Sequence, residues 1–380
     1  MNKESQPAEM RRSNLELFRI VSMLFIVAHH YVFHGGLTGA GPVAENPLSF
    51  HSQLILLFGA WGKIGINCFV LITGYFMCEK QITLKKFLKL LFEILFYKTL
   101  AVLIFGLPGQ ERLSFAEIIK FLLPVRELST DFYSGYLVFF LFIPFLNVLV
   151  RHMNEKTHVR LLVLLSFAFI FLGTFPGFSV TLNNAAWFMA LYIIASYIRL
   201  YQKQIFENKC FWRIATLVCV LLSALSVIIC SRLVGPMGKP VTSAWGFVMD
   251  SNTLLAVLTG LSAFMLFRIL DVPQSKVINT IASTTFGVLL IHSNGTAMRI
   301  WLWNDLLHTV ESNATLWGGI LHGVLSVIGV FAAASLIDLI RIRLIEKPFF
   351  QMMDKVLPGI EAWWKRIEEK FFRKCHIEEE

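Results

Sequence analysis

The stretch NLELFRIVSMLFIVAHHYVF, residues 14–33, decides the class of this protein. Its length matches the roughly 20 apolar residues that an α-helix needs to cross the hydrocarbon core of a bilayer. It nevertheless carries Arg19 near one end and His29 and His30 near the other. Ionisable residues are rare in the apolar core of a cleaved signal peptide. The stretch is therefore predicted to remain in the protein as a first membrane-spanning helix.

The whole chain extends this pattern. Of its 380 residues, 56% are hydrophobic and 16% charged, and the mean hydropathy is +0.65, well above the range of soluble proteins. Few apolar runs alternate with period two, as a β-barrel would require. The predicted fold class is an all-α integral membrane protein, a polytopic bundle of about ten transmembrane helices. The predicted runs are 17–33, 54–78, 88–107, 132–150, 159–175, 185–201, 211–234, 252–270, 277–292 and 316–345.

Composition stays uniform until the tail, so one transmembrane domain over residues 12–350 is predicted. The tail, residues 351–380, contains GIEAWWKRIEEKFFRKC, in which aromatic and basic residues alternate. This pattern is typical of an amphipathic helix that lies on a membrane surface. The tail is therefore predicted to be a separate cytoplasmic segment with membrane lipid as its partner.

Charge predicts the orientation. With the N-terminus in the cytoplasm, most of the 34 lysines and arginines fall on the cytoplasmic side, as the positive-inside rule expects. Both termini are then predicted to be cytoplasmic. The same bias accounts for the net charge of +9, and no basic patch with interleaved aromatic residues indicates nucleic-acid binding. The six cysteines do not pair in a predicted outer loop, which argues against disulfides and a cysteine-based metal site.

Helix geometry relates the two ends of the opening stretch. Arg19 and His30 are eleven positions apart, so they project from nearly the same face, roughly 16 Å apart along the axis. His29 points about 100° away from His30. Either residue alone could be structural, an arginine that extends to the lipid headgroups or a histidine satisfied by a neighbouring helix. An inner cation and an outer base on one face instead suit a reaction whose two substrates arrive from opposite sides.

The spacing from Arg19 to His30 also resembles the R-x10-H pattern of membrane acyltransferase family 3. Further segments resemble that family's motifs, in its usual order over about residues 12–350. This resemblance implies an enzyme of a bacterial plasma membrane that acylates sugars at the outer face. The segments are GINCFVLITGYFM (65–77), GYLVFFLFIPFLN (135–147), WFMALYIIASYIR (187–199), STTFGVLLIHSN (283–294) and IDLIRIRLIEKPF (337–349).

The resemblance assigns roles to the candidate residues. His30 is expected to be the base that takes the hydroxyl proton of the acceptor, because imidazole titrates near neutral pH. Arg19 is expected to face acetyl-CoA, the acyl donor, from the cytoplasmic side. Many members carry an arginine-rich motif after the second helix, where this chain has Lys85, Lys86 and Lys89. Lysine binds phosphate as a point charge without arginine's planar fork, so these lysines are a candidate donor site or an ordinary positive-inside loop.

Two further residues are candidates for the acceptor side. Lys63 is predicted in the outer half of the second span and His292 at the outer end of the ninth. The expected reaction transfers an acetyl group to a hydroxyl of a cell-surface glycan or lipid-linked sugar, without a metal. Two alternatives remain open at this stage: a transporter or flippase for a lipid-linked glycan, in which the buried charges line a substrate path, and a membrane sensor or scaffold.

Overall fold

The computed structural model describes residues 12–106, 123–125, 128, 131–175, 177–178, 180 and 182–374, with the side chains of 371–374 left out. Within these residues every regular element is helical and no strand occurs. Most of the segment 108–131 between the third and fourth predicted runs, Leu107 at the end of the third run, and residues 375–380 of the tail lie outside the described residues.

Fourteen helices carry the architecture of the described chain. They are α1 (Ser13–His34), α2 (Phe50–Gly59), α3 (Gly62–Met77), α4 (Leu84–Ala101), α5 (Phe132–His152), α6 (Glu155–Leu165), α7 (Asn184–Leu200), α8 (Lys209–Val234), α9 (Leu254–Arg268), α10 (Lys276–Ala282), α11 (Thr285–His292), α12 (Leu316–Arg341), α13 (Lys347–Met353) and α14 (Leu357–Lys374). Short helical turns continue or connect several of them.

The lengths and composition of these helices agree with the prediction of a membrane protein. Six helical segments in the described part of the chain are long and apolar enough to cross a membrane, namely Ser13–His34, Phe50–Met77, Phe132–His152, Glu155–Thr174, Lys209–Val234 and Leu316–Met353. Asn184–Leu200 and Leu254–Arg268 are apolar but shorter. The count of ten spans and the cytoplasmic position of both termini stay predictions.

Two of the ten predicted runs contain a break in the helix. The run 277–292 is divided into α10 and α11, because the chain turns at Ser283 and Thr284. The hydroxyl of Thr284 donates a hydrogen bond to the carbonyl of Ile281 at 2.7 Å, which competes with continuation of the helix. The run 54–78 is likewise interrupted between α2 and α3.

Helix α1 lies at the centre of the bundle, in contact with α2, α3, α9, α10, α11 and α12. Small residues on α3 allow the closest approach. A Cβ on Gly65 would lie 2.6 Å from the carbonyl oxygen of Ser22, and one on Gly74 would lie 2.9 Å from Ala195 on α7. Such glycine contacts are how membrane helices pack closely without a solvent-driven hydrophobic effect. They pack α3 closely against α1 on one side and α7 on the other.

The tail forms helix α14. Ile360, Trp363, Trp364 and Ile367 are spaced three or four residues apart, so they share one face, and all four are exposed. This apolar face agrees with the amphipathic character predicted for the tail. Its position on the inner leaflet stays a prediction.

Candidate functional site

His30 on α1 and His292 at the end of α11 form a hydrogen-bonded pair. His30 Nδ1 lies 2.8 Å from His292 Nε2, although 262 positions separate the two residues in the chain. His30 is partly exposed, whereas His292 is fully buried. The other nitrogen of His292, Nδ1, lies 2.6 Å from the carbonyl oxygen of Val288. His292 thus links the backbone of α11 to the candidate base.

The partners of this pair determine where its protons lie. The Val288 carbonyl can only accept a hydrogen bond, so Nδ1 of His292 carries a proton. In a neutral imidazole the second nitrogen is then an acceptor, and His30 must donate from Nδ1 to His292 Nε2. Nε2 of His30 is left with its lone pair and makes no hydrogen bond to the described residues. This is the tautomer that a general base needs, with its second nitrogen oriented by a neighbour.

Aromatic side chains surround the pair. The ring of His34 lies 4.8 Å from that of His30, centroid to centroid, and is also partly exposed. The indole of Trp303 packs edge-on against His292 at 6.3 Å and is fully buried. Trp303 covers the buried side of the pair, at His292, while His30 and His34 remain accessible at this end of α1.

Arg19 lies at the opposite end of α1. Its Nε is buried and lies 3.4 Å from Glu16 Oε2, in a geometry that does not form a hydrogen bond. The guanidinium carbon lies 5.3 Å from the ring centroid of Phe69, a cation–π distance. Arg19 therefore keeps unused donors, and it faces a cavity.

This cavity, which we call the basic cavity, has a volume of about 950 Å³, near the upper end of the usual range for ligand sites. Cations outnumber carboxylates in its described lining by seven to three. Aromatic side chains, among them Phe69, Tyr136 and Phe286, add apolar surface. The cations are Arg19, Lys80, Lys89, Lys276, Arg341, Arg343 and Lys347, and the carboxylates are Glu16, Glu93 and Glu346.

Three of these cations are available to a ligand. The charged groups of Lys276, Arg343 and Lys347 form no ion pair or hydrogen bond with another described residue. They come from two helical segments far apart in the chain, α10 and the region that follows α12. A concave site with excess positive charge and aromatic walls is suited to a polyanion that also carries apolar or ring surface.

A buried ionic cluster stabilises one wall of the basic cavity. Arg341, 2% exposed, donates from Nε to Asp338 Oδ1 and from Nη1 to Glu346 Oε2, both at 2.7 Å. Its Nη2 lies 3.1 Å from Glu93 Oε1 on α4. Tyr97 donates its hydroxyl to Asp338 Oδ1 at 2.7 Å. Arg341 is therefore committed to three carboxylates and ties α4 to the end of α12.

The contact between Arg341 and Glu346 depends on a π-helical turn, Ile342–Glu346. Residues five apart in an α-helix point about 140° away from each other. A turn with i→i+5 hydrogen bonds brings them to the same side. The turn thus places Glu346 and the exposed Arg343 beside the basic cavity.

Helix α11 connects the two ends of the candidate site. Thr285 at its start lines the basic cavity, and His292 at its end binds His30. The helix covers roughly 10 Å between them. It packs closely on α12 because Gly287 has no side chain: a Cβ there would lie 2.2 Å from Cγ of Asp338.

The three lysines predicted to bind the donor are in different surroundings. Lys89 lines the basic cavity, where its Nζ pairs with Glu346 Oε1 at 3.2 Å. Lys85 pairs with Asp354 at 2.5 Å and does not line the cavity. Lys86 donates to the carbonyl of Gln81 at 2.9 Å and also lies outside the lining.

Lys63 and His29 lie near the interruption between α2 and α3. His29 Nδ1 donates to the carbonyl oxygen of Gly59 at 2.6 Å, and its ring packs 5.4 Å from that of Trp245. Lys63, in the first turn of α3, is attracted by the carboxylate of Asp250. Lys63 is not part of the His30–His292 pair, and His29 has a separate, structural set of contacts.

Sequence reasoning singled out Arg19 and His30 but did not identify the residues that they contact. It placed His292 on the acceptor side without pairing it with His30, and it did not single out Lys276, Arg343 or Lys347. The sequence contained a signal for three of these residues, because they lie in segments that resemble family motifs. His292 lies in STTFGVLLIHSN, and Arg343 and Lys347 lie in IDLIRIRLIEKPF. Among the described residues, no group of three or more histidine, cysteine or acidic side chains is arranged to hold a metal ion.

Comparison with known proteins gives one match. The family model for the acyltransferase domain, acyltransferase family 3, matches residues 12–339. That range includes Arg19, His30 and His292 and ends shortly before the π-helical turn. Searches of curated proteins and of solved structures found no significant match.

Proposed function

The chain belongs to acyltransferase family 3, and from this we propose that it transfers an acetyl group from acetyl-CoA to a hydroxyl of a cell-surface glycan or lipid-linked sugar. The family implies acyltransferase activity. The donor, the acceptor and the roles of individual residues are our proposal. We place the enzyme in a bacterial plasma membrane, with the basic cavity on the cytoplasmic side and His30 on the outer side.

One observation supports this proposal above the others: α1 joins two chemically different sites. The Arg19 end opens into the basic cavity, and the His30 end carries an imidazole with a free lone pair. The residues are roughly 16 Å apart along the helix. A membrane enzyme with a polyanionic donor on one side and a neutral sugar on the other needs both features on one rigid element.

The donor end matches the chemistry of acetyl-CoA. Its phosphates require cations, which Lys276, Arg343, Lys347 and Arg19 offer, and its adenine and pantetheine require apolar surface. Arg341 is saturated by carboxylates, so it would shape the cavity without binding phosphate. Lys85 and Lys86, outside the lining, are then assigned to the positive-inside loop.

At the other end, His30 Nε2 would take the proton of the acceptor hydroxyl while the hydroxyl oxygen bonds to the acetyl carbon. The bond between that carbon and the sulfur of CoA breaks, and His30 returns the proton to the thiolate. His292 Nε2 would accept a hydrogen bond from His30 Nδ1 throughout, stabilising the imidazolium. His30 is the catalytic residue in this scheme, and His292 is a positioning residue. Lys63 is proposed to interact with the acceptor only electrostatically.

The test is acetyl-CoA-dependent labelling of a glycan acceptor by the purified protein. His30→Ala should lower the transfer rate by roughly 10²- to 10⁴-fold, the usual contribution of general-base catalysis, without weakening acetyl-CoA binding. His29→Ala is the matched control, since His29 binds the Gly59 carbonyl and does not contact His292. It should lower thermal stability while the folded fraction keeps most of its transfer rate.

Cells that lack the gene provide an independent measurement. Their surface glycans should lose O-acetyl groups, as measured by mass spectrometry. Unchanged O-acetyl content, together with full activity of His30→Ala, would contradict the proposal. Accumulation of an unmodified lipid-linked glycan on the inner leaflet would instead favour the flippase alternative.

A further inference from the structure

A second cavity lies beside the His30 end of α1. It has a volume of about 340 Å³ and is bounded by α1, α2 and α12. This size is at the lower end of the range for ligand sites, enough for one narrow chain. We call it the Tyr31 groove; its lining includes Tyr31, His51, Leu54, Phe58, Trp61, Asn313, Gly319, Ile320, Gly323 and Val324.

The Tyr31 groove faces outward between α2 and α12. Ile320 is 38% exposed and Val324 43% exposed, and both line the groove. On a membrane-spanning helix such as α12, exposed apolar side chains face lipid. Two glycines on α12, Gly319 and Gly323, line the groove and add no side chain to fill it. The groove is therefore open to the hydrocarbon region from the side.

One end of the groove is polar. Asn313 Nδ2 donates to the hydroxyl oxygen of Tyr31 at 2.7 Å, and that hydroxyl lies 2.8 Å from His322 Nδ1. The hydroxyl of Tyr31 thus links Asn313 to His322. Asn313 Nδ2 uses its second proton on the carbonyl of Thr309 at 2.8 Å. The donors of this network are satisfied, but the amide oxygen of Asn313 is not.

Two unused polar atoms converge beside Gly319. A Cβ at that position would lie 2.4 Å from Asn313 Oδ1 and 3.1 Å from His51 Nε2. Among the described residues, the buried His51 Nε2 has no hydrogen-bond partner and Asn313 Oδ1 accepts no hydrogen bond. Leaving such atoms unpaired is costly, and Asn313 Oδ1 can only accept a hydrogen bond. The groove beside these two atoms is therefore suited to a hydroxyl that donates to Asn313 Oδ1 within reach of His51 Nε2.

The polar and apolar ends of the groove are ordered along the bundle. His51 is in the first turn of α2 and Asn313 precedes α12, so both lie toward the His30 end. Phe58 and Val324 lie further along these helices, and Trp61 just after α2, toward the Arg19 end. This order matches a lipid whose headgroup is at the membrane surface and whose chain extends into the bilayer.

The groove also adjoins the catalytic pair. The indole of Trp303 packs against Tyr31 at 6.0 Å and against His292 at 6.3 Å, so a single side chain separates the two sites. A headgroup held beside Asn313 and His51 would keep an attached sugar near His30.

We infer that the Tyr31 groove binds the hydrocarbon chain of a lipid-linked sugar acceptor, with a headgroup hydroxyl that donates to Asn313 Oδ1 and lies beside His51 Nε2. This inference rests on the proposed function and narrows it, because it assigns the acceptor to the class of lipid-linked sugars. It also explains why an apolar groove with unused polar atoms lies one side chain away from the His30–His292 pair.

A binding experiment tests the inference without relying on transfer. A polyprenyl phosphate sugar with a diazirine in its chain is added to the full-length protein in nanodiscs, and the labelled peptides are identified by mass spectrometry. We expect label on the segments 54–61 and 320–324. Gly323→Leu should lower it by roughly tenfold, because a Cβ there already meets the rings of Tyr31 and Phe58 at 3.4 and 3.5 Å.

Gly329→Leu is the matched control on the same helix, since nothing lies within 4 Å of a Cβ at Gly329. Its labelling should stay within about twofold of wild type. Unlabelled lipid-linked sugar should displace the probe, whereas phosphatidylglycerol of equal chain length should not. Equal displacement by phosphatidylglycerol, or undiminished labelling of Gly323→Leu, would overturn the inference.

A second variant addresses the headgroup. His51→Phe removes the unpaired nitrogen and should weaken labelling by the lipid-linked sugar by roughly 3- to 10-fold, the effect of one lost hydrogen bond. Labelling by a diazirine-bearing hydrocarbon of the same length should not change. Equal effects on the two probes would refute the headgroup contact.

Transfer assays separate this inference from the proposed function. If both are right, Gly323→Leu loses transfer to the lipid-linked sugar but still acetylates a short water-soluble glycoside. If the wild-type protein acetylates neither acceptor, the proposed function fails, while the labelling result still decides whether the groove binds this lipid. Equal rates of Gly323→Leu and wild type on the lipid-linked sugar would count against the groove as the acceptor site.

Discussion

Replacing His292 with phenylalanine removes the acceptor that fixes the proton of His30 on Nδ1. A phenyl ring fills nearly the same space beside Trp303, so packing changes little. The Nδ1–H of His30 loses its partner at 2.8 Å, and the imidazole becomes free to hold its proton on Nε2 instead. In that tautomer His30 cannot accept a proton from the acceptor hydroxyl.

The size of the effect follows from the type of bond that is lost. When His30 takes the proton it becomes an imidazolium, and a hydrogen bond from a charged group contributes about 1.5–3 kcal/mol. At about 1.4 kcal/mol per factor of ten, the transfer rate should fall by roughly 10- to 150-fold. This loss is smaller than the one expected for His30→Ala, because the base itself remains. His292→Gln should recover part of the rate, since its amide oxygen can accept from His30.

The assay is the initial rate of acetyl transfer by detergent-purified variants, with acetyl-CoA affinity measured on the same samples. Affinity should not change, because α11 holds His292 roughly 10 Å from the nearest cavity-lining residue of that helix. Thermal unfolding of each variant controls for stability. A His292→Phe enzyme with wild-type rate, or a His292→Gln enzyme no faster than the phenylalanine variant, would refute the positioning role.

Three further predictions concern the donor end, the ionic cluster and the topology. Arg19→Ala should raise the Kd for acetyl-CoA by roughly tenfold, with Arg19→Lys in between, as measured by calorimetry; unchanged Kd would remove Arg19 from the donor site. Arg341→Met should lower the free energy of unfolding by about 3–5 kcal/mol, because three carboxylates lose their common partner, whereas the exposed Arg343→Met should change it by less than about 0.5 kcal/mol. Similar unfolding midpoints for the two variants would contradict this reading. A cysteine at the exposed Asn46 should react with an impermeant thiol reagent in intact cells while the exposed Cys210 stays protected, and the reverse pattern would invert the orientation.

The sequence alone determined the membrane class and the two ends of α1. Both depend on local quantities, namely the length of an apolar run and the rotation of 100° per residue in an α-helix. They place Arg19 and His30 on one face before any tertiary contact is known. The family resemblance, confirmed by the match over residues 12–339, adds the expected chemistry.

Only the tertiary structure decided what Arg19 and His30 contact. The partner of His30 lies 262 positions away, and the free cations of the basic cavity come from α10 and from the segment after α12. No periodicity in the chain records such pairings, because they arise from how helices pack against each other. The π-helical turn at Ile342–Glu346 is likewise invisible in an apolar pattern, yet it brings Glu346 to Arg341. Local hydrophobicity fixes which segments enter the membrane, and the close packing of glycines such as Gly65 and Gly287 fixes which side chains then meet.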